Sequence, residues 1–281
     1  MTGYGMVVGL VVLLGLSSTL GLALGGWPAH GVELRGPTHP AADGRWRVFA
    51  HRTNTLEDLA RVTRLATTHS RVVLGVEVDV QFRSGRLWVA HDRGADGPEL
   101  NHYLEQVPDE MPVVLELKTS LATDDGVEAL LELLARTRSA VPETTLCSFH
   151  PGILARIERL RADSSLGDSP HVMPAVRTCL FSYLIRPRRY PLARLWEGIA
   201  RRRGRLGGPI PSTLEVDMVG IPWRSAAAEA TALWSESGVA TIAGNVDGPR
   251  AVAKLGGSGI YGLFTDRPRL IAELVAASSA D

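Results

Sequence analysis

Sulfur chemistry is nearly absent from this chain of 281 residues. Its two cysteines, Cys147 and Cys179, are too few for a zinc cluster or a disulfide framework; they pair once or not at all. Net charge is missing too, with thirty basic residues balancing thirty acidic ones. A chain with no global field has no means of releasing counterions, which excludes a protein built to coat nucleic acid. No G-x-G-x-x-G follows the first strand candidate, so an open dinucleotide-binding sheet lacks its main support. Internal repeats and low-complexity tracts are lacking as well. What is present is 45% hydrophobic and 21% charged, the composition of a chain that folds, and 29 glycines with 17 prolines call for many turns.

The first 30 residues read as a separate unit. From Met6 to Gly26 there are 21 residues without a charge. As a helix they reach roughly 31 Å, enough to cross a bilayer's hydrocarbon core. A cleaved signal segment is the alternative, with small residues at Ala23-Leu24-Gly25. The missing Lys or Arg ahead of the run, and its length, favour an uncleaved anchor, so the expected location is membrane-anchored by a single N-terminal span, or secreted if the segment is cut. The side of the membrane stays open. Residues 31–45 follow as a tether, and 46–281 hold about as many residues as a (β/α)8 TIM barrel needs.

Within 46–281, short apolar runs alternate with helical periodicity. Strands are expected at 46–52, 71–82, 86–92, 112–118, 145–150, 171–176, 213–221, 239–246 and 261–266. Between them, 54–69 has Leu56, Leu59, Val62 and Leu65 at helical spacing, with Asn54 or Thr55 as its N-cap. Further helices are expected at 125–138, 151–162, around 190–203, at 224–237, 248–256 and 268–278. Repeated βα units imply an α/β fold with a parallel sheet, and this many imply closure into the barrel, with 86–92 counted among its strands.

Chemistry in such a barrel belongs at the C-terminal ends of the strands. Those ends carry His51-Arg52, Glu77-Val-Asp79, His91-Asp92, Glu116-Leu-Lys118, Ser148-Phe-His150, Asn245 and Thr265-Asp266. Residues two apart on a strand share a face, so Glu77 aligns with Asp79 and Glu116 with Lys118. Three carboxylates, two histidines, an arginine and a lysine gathered at one barrel mouth are too costly to bury unless a metal and a substrate use them. Oxygen ligands from Glu77, Asp79 and Glu116 suit one divalent cation, Mg²⁺ or Ca²⁺. Arg52 and Lys118 offer positive charge to an anionic group, with a phosphodiester the obvious candidate. His51 and His91 on opposite sides of a phosphorus would serve as base and acid.

The segments A-H-R, G-V-E-V-D-V-Q-F, G-R-L-W-V-A-H-D, V-V-L-E-L-K, C-S-F-H-P and G-L-F-T-D-R-P, in order from about residue 46 to 270, resemble the glycerophosphodiester phosphodiesterase family. The resemblance implies a TIM barrel whose Mg²⁺ or Ca²⁺ is held at Glu77, Asp79 and Glu116. It also implies an acid/base pair at His51 and His91, phosphate contacts at Arg52 and Lys118, and a cyclic intermediate formed by the neighbouring glycerol hydroxyl. Two features depart from that pattern. The family's H-R-G and later E-N-T are replaced by the contracted H-R-T-N-T-L-E, whose H-x-x-N spacing is similar to sphingomyelinase-D-type phospholipases and menorin-like relatives. Asn54 therefore belongs either to the site, as a substrate contact, or to the helix cap. Only 24 residues separate His91 from Glu116, too few for the family's larger insertion. A more open cleft makes a phospholipid headgroup as suitable a substrate as a small glycerophosphodiester.

Two other features compete for a role. Glu215-Val-Asp217 repeats the E-x-D pattern without a following H-D or E-x-K, which favours substrate contact or structure over a rival metal pair. The stretch 177–206 is arginine-rich, with Glu197 as its one acidic residue and Phe181, Tyr183, Tyr190 and Trp196 interspersed. It is either a solvated outer helix or a surface apposed to anionic lipid. Two function classes follow, a phosphodiesterase and a non-catalytic barrel that retains the pocket for binding, and no acid/base or metal residue is missing to favour the second.

Overall fold

The computed structural model describes residues 32–34, 45–69, 71–137, 143–162, 176–181, 214–223, 239–256 and 258–278. Its elements in chain order are β1 (Val32–Leu34), β2 (Arg47–Ala50), α1 (Leu56–Thr68), β3 (Val73–Arg83), β4 (Arg86–Val89), α2 (Leu100–Glu105) and β5 (Val113–Leu117). There follow α3 (Asp124–Thr137), β6 (Thr144–Ser148), α4 (Pro151–Ala162), β7 (Val176–Phe181), β8 (Leu214–Val216) and β9 (Met218–Pro222). The chain ends in β10 (Ala240–Gly244), α5 (Pro249–Leu255), β11 (Gly262–Thr265) and α6 (Pro268–Ser278).

Eight of the strands pair in parallel in the order β2-β11-β10-β9-β7-β6-β5-β3, and β2 pairs with β3 to close the ring. The closed parallel sheet is why the strands read as continuous apolar runs: both faces are covered. One face of each strand packs outward in a core that includes Val76, Val78, Leu115 and Leu146. Phe49, Val114, Cys147, Cys179, Phe181, Met218 and Ile242 form a second cluster, on the alternate residues that face the barrel interior. Cys147 and Cys179 are neighbours in register across β6 and β7, and both are free thiols.

Several expectations are corrected. The run 86–92 is no barrel strand: β4 folds back antiparallel on the outer half of β3, with Val80 opposite Val89. Ser84 (φ 52°) and Gly85 (φ 73°) supply the two left-handed residues that a tight hairpin requires. Removing this arm from the nine candidates leaves the eight strands of the ring. The fifth barrel strand is described at Val176–Phe181, so the first residues of the arginine-rich stretch are barrel wall; of the strand expected at 171–176, residues 171–175 lie outside the described residues, as do 182–206. The run 213–221 breaks at Asp217, whose carboxylate accepts from the Thr178 amide at 2.7 Å and from its hydroxyl at 3.2 Å. That bond stands at the start of β9, the end of the barrel away from the site, so Asp217 is structural.

Within the expected tether, β1 pairs in parallel with β8. Helix α2, with buried Tyr103, was not expected from the sequence pattern. The helices expected around 190–203 and at 224–237, and the apolar run 6–26, lie outside the described residues. Among the described residues no helix is long and apolar enough to cross a membrane.

Candidate active site

Alternation along β3 and β5 brings Glu77, Asp79 and Glu116 to one place. Asp79 and Glu116 are register partners, and Glu77 lies two residues before Asp79 on the same face. One ligand oxygen from each falls within 4.8 Å of the others, and all three side chains are buried. Glu77 Oε1 has no hydrogen-bond partner, while Oε2 accepts from the Arg52 amide at 2.6 Å. Burial, with Asp79 and Glu116 close by, pushes the Glu77 carboxyl well above its usual range, against the Arg52 amide and Lys118.

The expected phosphate ligand Lys118 is inside this cluster. Its ammonium stands 2.5 Å from Asp79 Oδ1 as an ion pair, and it also contacts Glu116. Burial opposes its charge, but Glu116 and Asp79 outweigh burial and raise its pKa. Arg52 enters the site through its backbone: φ of 55° turns its amide onto Glu77, and its side chain is exposed.

Asn54 is placed at the site and not at the helix cap. Thr55 is the N-cap of α1, accepting from the Asp58 amide at 3.1 Å. Asn54 is thereby left to grip Asp79 twice, donating from Nδ2 to Oδ2 at 2.6 Å and accepting from the Asp79 amide at 2.9 Å. Both of its polar atoms thereby position a carboxylate. Tyr103 supports the same loop from below, donating to Thr53 O at 2.6 Å.

His51 lines a pocket of about 60 Å³ together with Glu77 and Glu116; Phe181, Ile221, Pro222 and Phe264 form its apolar side. His51 Nδ1 lies 2.7 Å from Asp266 Oδ1, and Asn245 Nδ2 donates to Asp266 Oδ2 at 3.2 Å. The Nδ1 proton is assigned to the Asp266 bond, because the carboxylate can only accept. Burial opposes the Asp266 charge, but the bonds from His51 and Asn245 hold its carboxyl below the usual range. Asp247 fixes the turn by accepting from the Asp266 amide at 2.8 Å and from Thr265 Oγ1 at 3.0 Å. Asp266 and Asn245 were legible only as polar strand ends; their work on His51 has no signal in sequence spacing.

His91 stands farther out. It follows Ala90, whose amide donates to Asp79 O at 2.9 Å, and its carbonyl accepts from Gln81 at 3.0 Å. Its Nδ1 lies 2.9 Å from Asp92 Oδ1, with the ring 39% exposed at the rim. His150, just past β6, donates its amide to Ser148 Oγ at 3.1 Å. Burial and the Lys118 charge lower its pKa and favour the neutral ring.

No family model matches the chain, and no curated protein matches it in sequence. Solved structures do. A glycerophosphodiester phosphodiesterase of Parabacteroides distasonis is similar at TM-score 0.58 and 15% identity, over 85% of this chain and 100% of that one. An Oleispira antarctica phosphodiesterase in complex with the product sn-glycerol-3-phosphate is similar at TM-score 0.53 and 17% identity, over 83% of this chain and 96% of that one. A glycerophosphodiester phosphodiesterase of Thermotoga maritima is similar at TM-score 0.51 and 18% identity, over 81% and 97%. At these identities the likeness establishes the fold, in keeping with the closed eight-stranded parallel barrel.

Proposed function

We propose that this chain is a metal-dependent phosphoric diester hydrolase acting on glycerophosphodiesters or phospholipid headgroups. One observation carries the reading: three buried carboxylates converge with a single ammonium against them, and Glu77 Oε1 is left without a partner. Ionised, the cluster holds two uncompensated negative charges, a state that burial makes costly. A divalent cation matches that charge, and the all-oxygen donor set fits Mg²⁺ or Ca²⁺ in preference to zinc. When bound there, it would polarise a phosphoryl oxygen and neutralise charge developing on it.

The chain's own residues supply the rest. With Nδ1 committed to Asp266, His51 exchanges protons through Nε2, and His51 shares its pocket with Glu77 and Glu116. His51 is assigned as the acid that protonates the leaving oxygen and His91 as the base that activates the nucleophile. Lys118 and the exposed Arg52 give positive charge to the phosphate. Phe181, Pro222 and Phe264 exclude water on the side where the carbon skeleton of a small alcohol would lie. The uncharged run 6–26 supports a place at a membrane or beyond it; fractionation of the chain with and without residues 1–30 tests that.

The deciding experiment is ³¹P NMR of the full chain with glycerophosphocholine, lysophosphatidylcholine and sphingomyelin, each with Mg²⁺, Ca²⁺ or chelator. A phosphomonoester or cyclic phosphate, formed with metal and not with chelator, is expected. Metal-independent turnover, or none from any substrate, sinks the reading.

A further inference from the structure

His51 walls two spaces at once. On one side is the small pocket with the carboxylates; on the other is a groove of about 1050 Å³ running between α1 and the start of α6. The groove has an apolar floor at Val62, Leu65 and Leu270 and five arginines along its sides. Two of these are neutralised: Arg61 pairs with Asp58 at 2.6 Å and Arg269 with Glu273 at 3.0 Å. Arg64 and Arg267 are exposed and have no carboxylate partner among the described residues, and the exposed Arg52 side chain faces the same space. Asp266, which also lines the groove, lies within reach of the Arg52 charge, so Arg64 and Arg267 are the two cations left over. Two exposed guanidinium groups without a carboxylate partner, lining a concave surface that opens onto a reacting centre, are suited to an anion with several oxygens.

From the geometry we infer that this groove is a second anion site, which receives a phosphate or similarly charged group carried on the leaving alcohol of the diester. The inference rests on the proposed hydrolase in placing the scissile phosphorus at His51; if His51 protonates the leaving oxygen, the alcohol departs on the side of the groove. Arg64 lies eight residues into α1. At about 1.5 Å per residue this sets the second anion on the order of 12 Å along the helix from its start. A polyol ring bearing a phosphate supplies an anion set apart from the scissile phosphorus, whereas choline and glycerol carry none.

The test compares two substrates that differ by one distal phosphate, glycerophosphoinositol and glycerophosphoinositol 4-phosphate, on the full chain at low salt. A KM at least tenfold lower for the 4-phosphate is expected, shrinking with added salt as a charge interaction must. Arg64→Ala with Arg267→Ala should remove most of that preference through KM, with kcat for glycerophosphoinositol unchanged. Arg71→Ala with Arg250→Ala removes the same total charge from exposed positions outside the groove and should leave the preference intact. An absent preference in the unaltered chain, or equal loss in both double variants, overturns the inference. Calorimetric binding of myo-inositol 1,4-bisphosphate separates the two readings. Binding that the groove variant loses, in a chain that hydrolyses nothing, keeps the groove and removes the hydrolase; hydrolysis without such binding does the reverse.

Discussion

The two ends of this barrel both bury charged side chains, and they do so in opposite ways. At the N-terminal end, Arg47 from the start of β2 forks onto Glu143 with bonds of 2.8 and 2.6 Å. Tyr261 donates to the same carboxylate at 3.2 Å and accepts from Arg177 at 2.7 Å, and both guanidinium groups stack on its ring, at 4.8 and 5.3 Å from the centroid. Burial opposes the Glu143 charge, yet Arg47 and Arg177 hold its carboxyl below the usual range; Tyr261, pushed up to about 12, stays neutral. Every member is answered by another. At the C-terminal end three carboxylates face one lysine, an oxygen goes unbonded, and Glu77 is driven toward protonation. A closed network stabilises the barrel as it stands, whereas an open one is held by the surrounding fold and completed from outside. The difference separates structure from function more sharply than burial does.

The largest effect expected is at the open end. Glu77→Gln keeps the shape and removes a charge, so metal-dependent turnover should fall by about a thousandfold or more, since each tenfold is only ~1.4 kcal/mol of transition-state stabilisation. Melting in chelator should be unchanged or raised, because the variant relieves repulsion with Asp79 and Glu116. More than a tenth of the original activity in that variant contradicts the ligand assignment.

His51→Asn and His91→Asn come next, each expected to cost roughly 10² to 10⁴ in rate, the usual worth of a general acid or base. A substrate with a p-nitrophenol leaving group needs no acid, so it should rescue His51→Asn and leave His91→Asn slow. Equal rescue of both shows the two roles to be wrongly assigned.

The same contrast explains what the sequence reveals of each end. E-V-D and E-L-K are legible because a two-residue period puts their side chains on one face, and the barrel register then carries Asp79 to Glu116. Arg47, Glu143, Arg177 and Tyr261 come from four strand starts spread across the chain, and no local pattern joins them. Asp266 and His51 meet for the same reason at the opposite end, through the closure of the ring between β11 and β2. The hairpin arm at 86–89 reads as a barrel strand because its residues alternate like one; only the paired left-handed residues Ser84 and Gly85 signal the reversal. Asn54 is ambiguous in sequence because an amide caps a helix or grips a carboxylate equally well, and Thr55 decides between the two.

At the closed end, Glu143→Ala should act on stability alone. Removing one partner of a buried pair leaves the others uncompensated, and with Glu143 partly accessible the cost is expected near the low end, about 3 kcal/mol. Urea unfolding should show the loss while kcat and KM stay within twofold. A matching loss of activity would mean that the two ends are coupled.

The smallest effect, and the one that tests the contrast most directly, is the response of stability to pH without metal. Glu77 has a folded pKa above its unfolded one, so the native state binds the extra proton; its contribution is complete below the usual carboxylate value and is lost as pH rises through the folded value. Glu143 has the reverse shift, with a contribution present above that value and lost as pH falls through its folded pKa. His150, held neutral, adds a loss of its own as pH falls below the ordinary imidazole value of about 6.5. Wild type and Glu77→Gln share the Glu143 and His150 contributions, so the difference between their melting curves isolates the open end. In chelator, wild type should lose a few degrees relative to Glu77→Gln as pH rises above the usual carboxylate range, where one kcal/mol is worth about 2–4 °C in a chain of this size. Saturating Mg²⁺ or Ca²⁺ should cancel that loss in wild type and do little for the variant. Parallel melting curves across this range, with and without metal, would falsify the view that the upper carboxylates are an open network awaiting a cation.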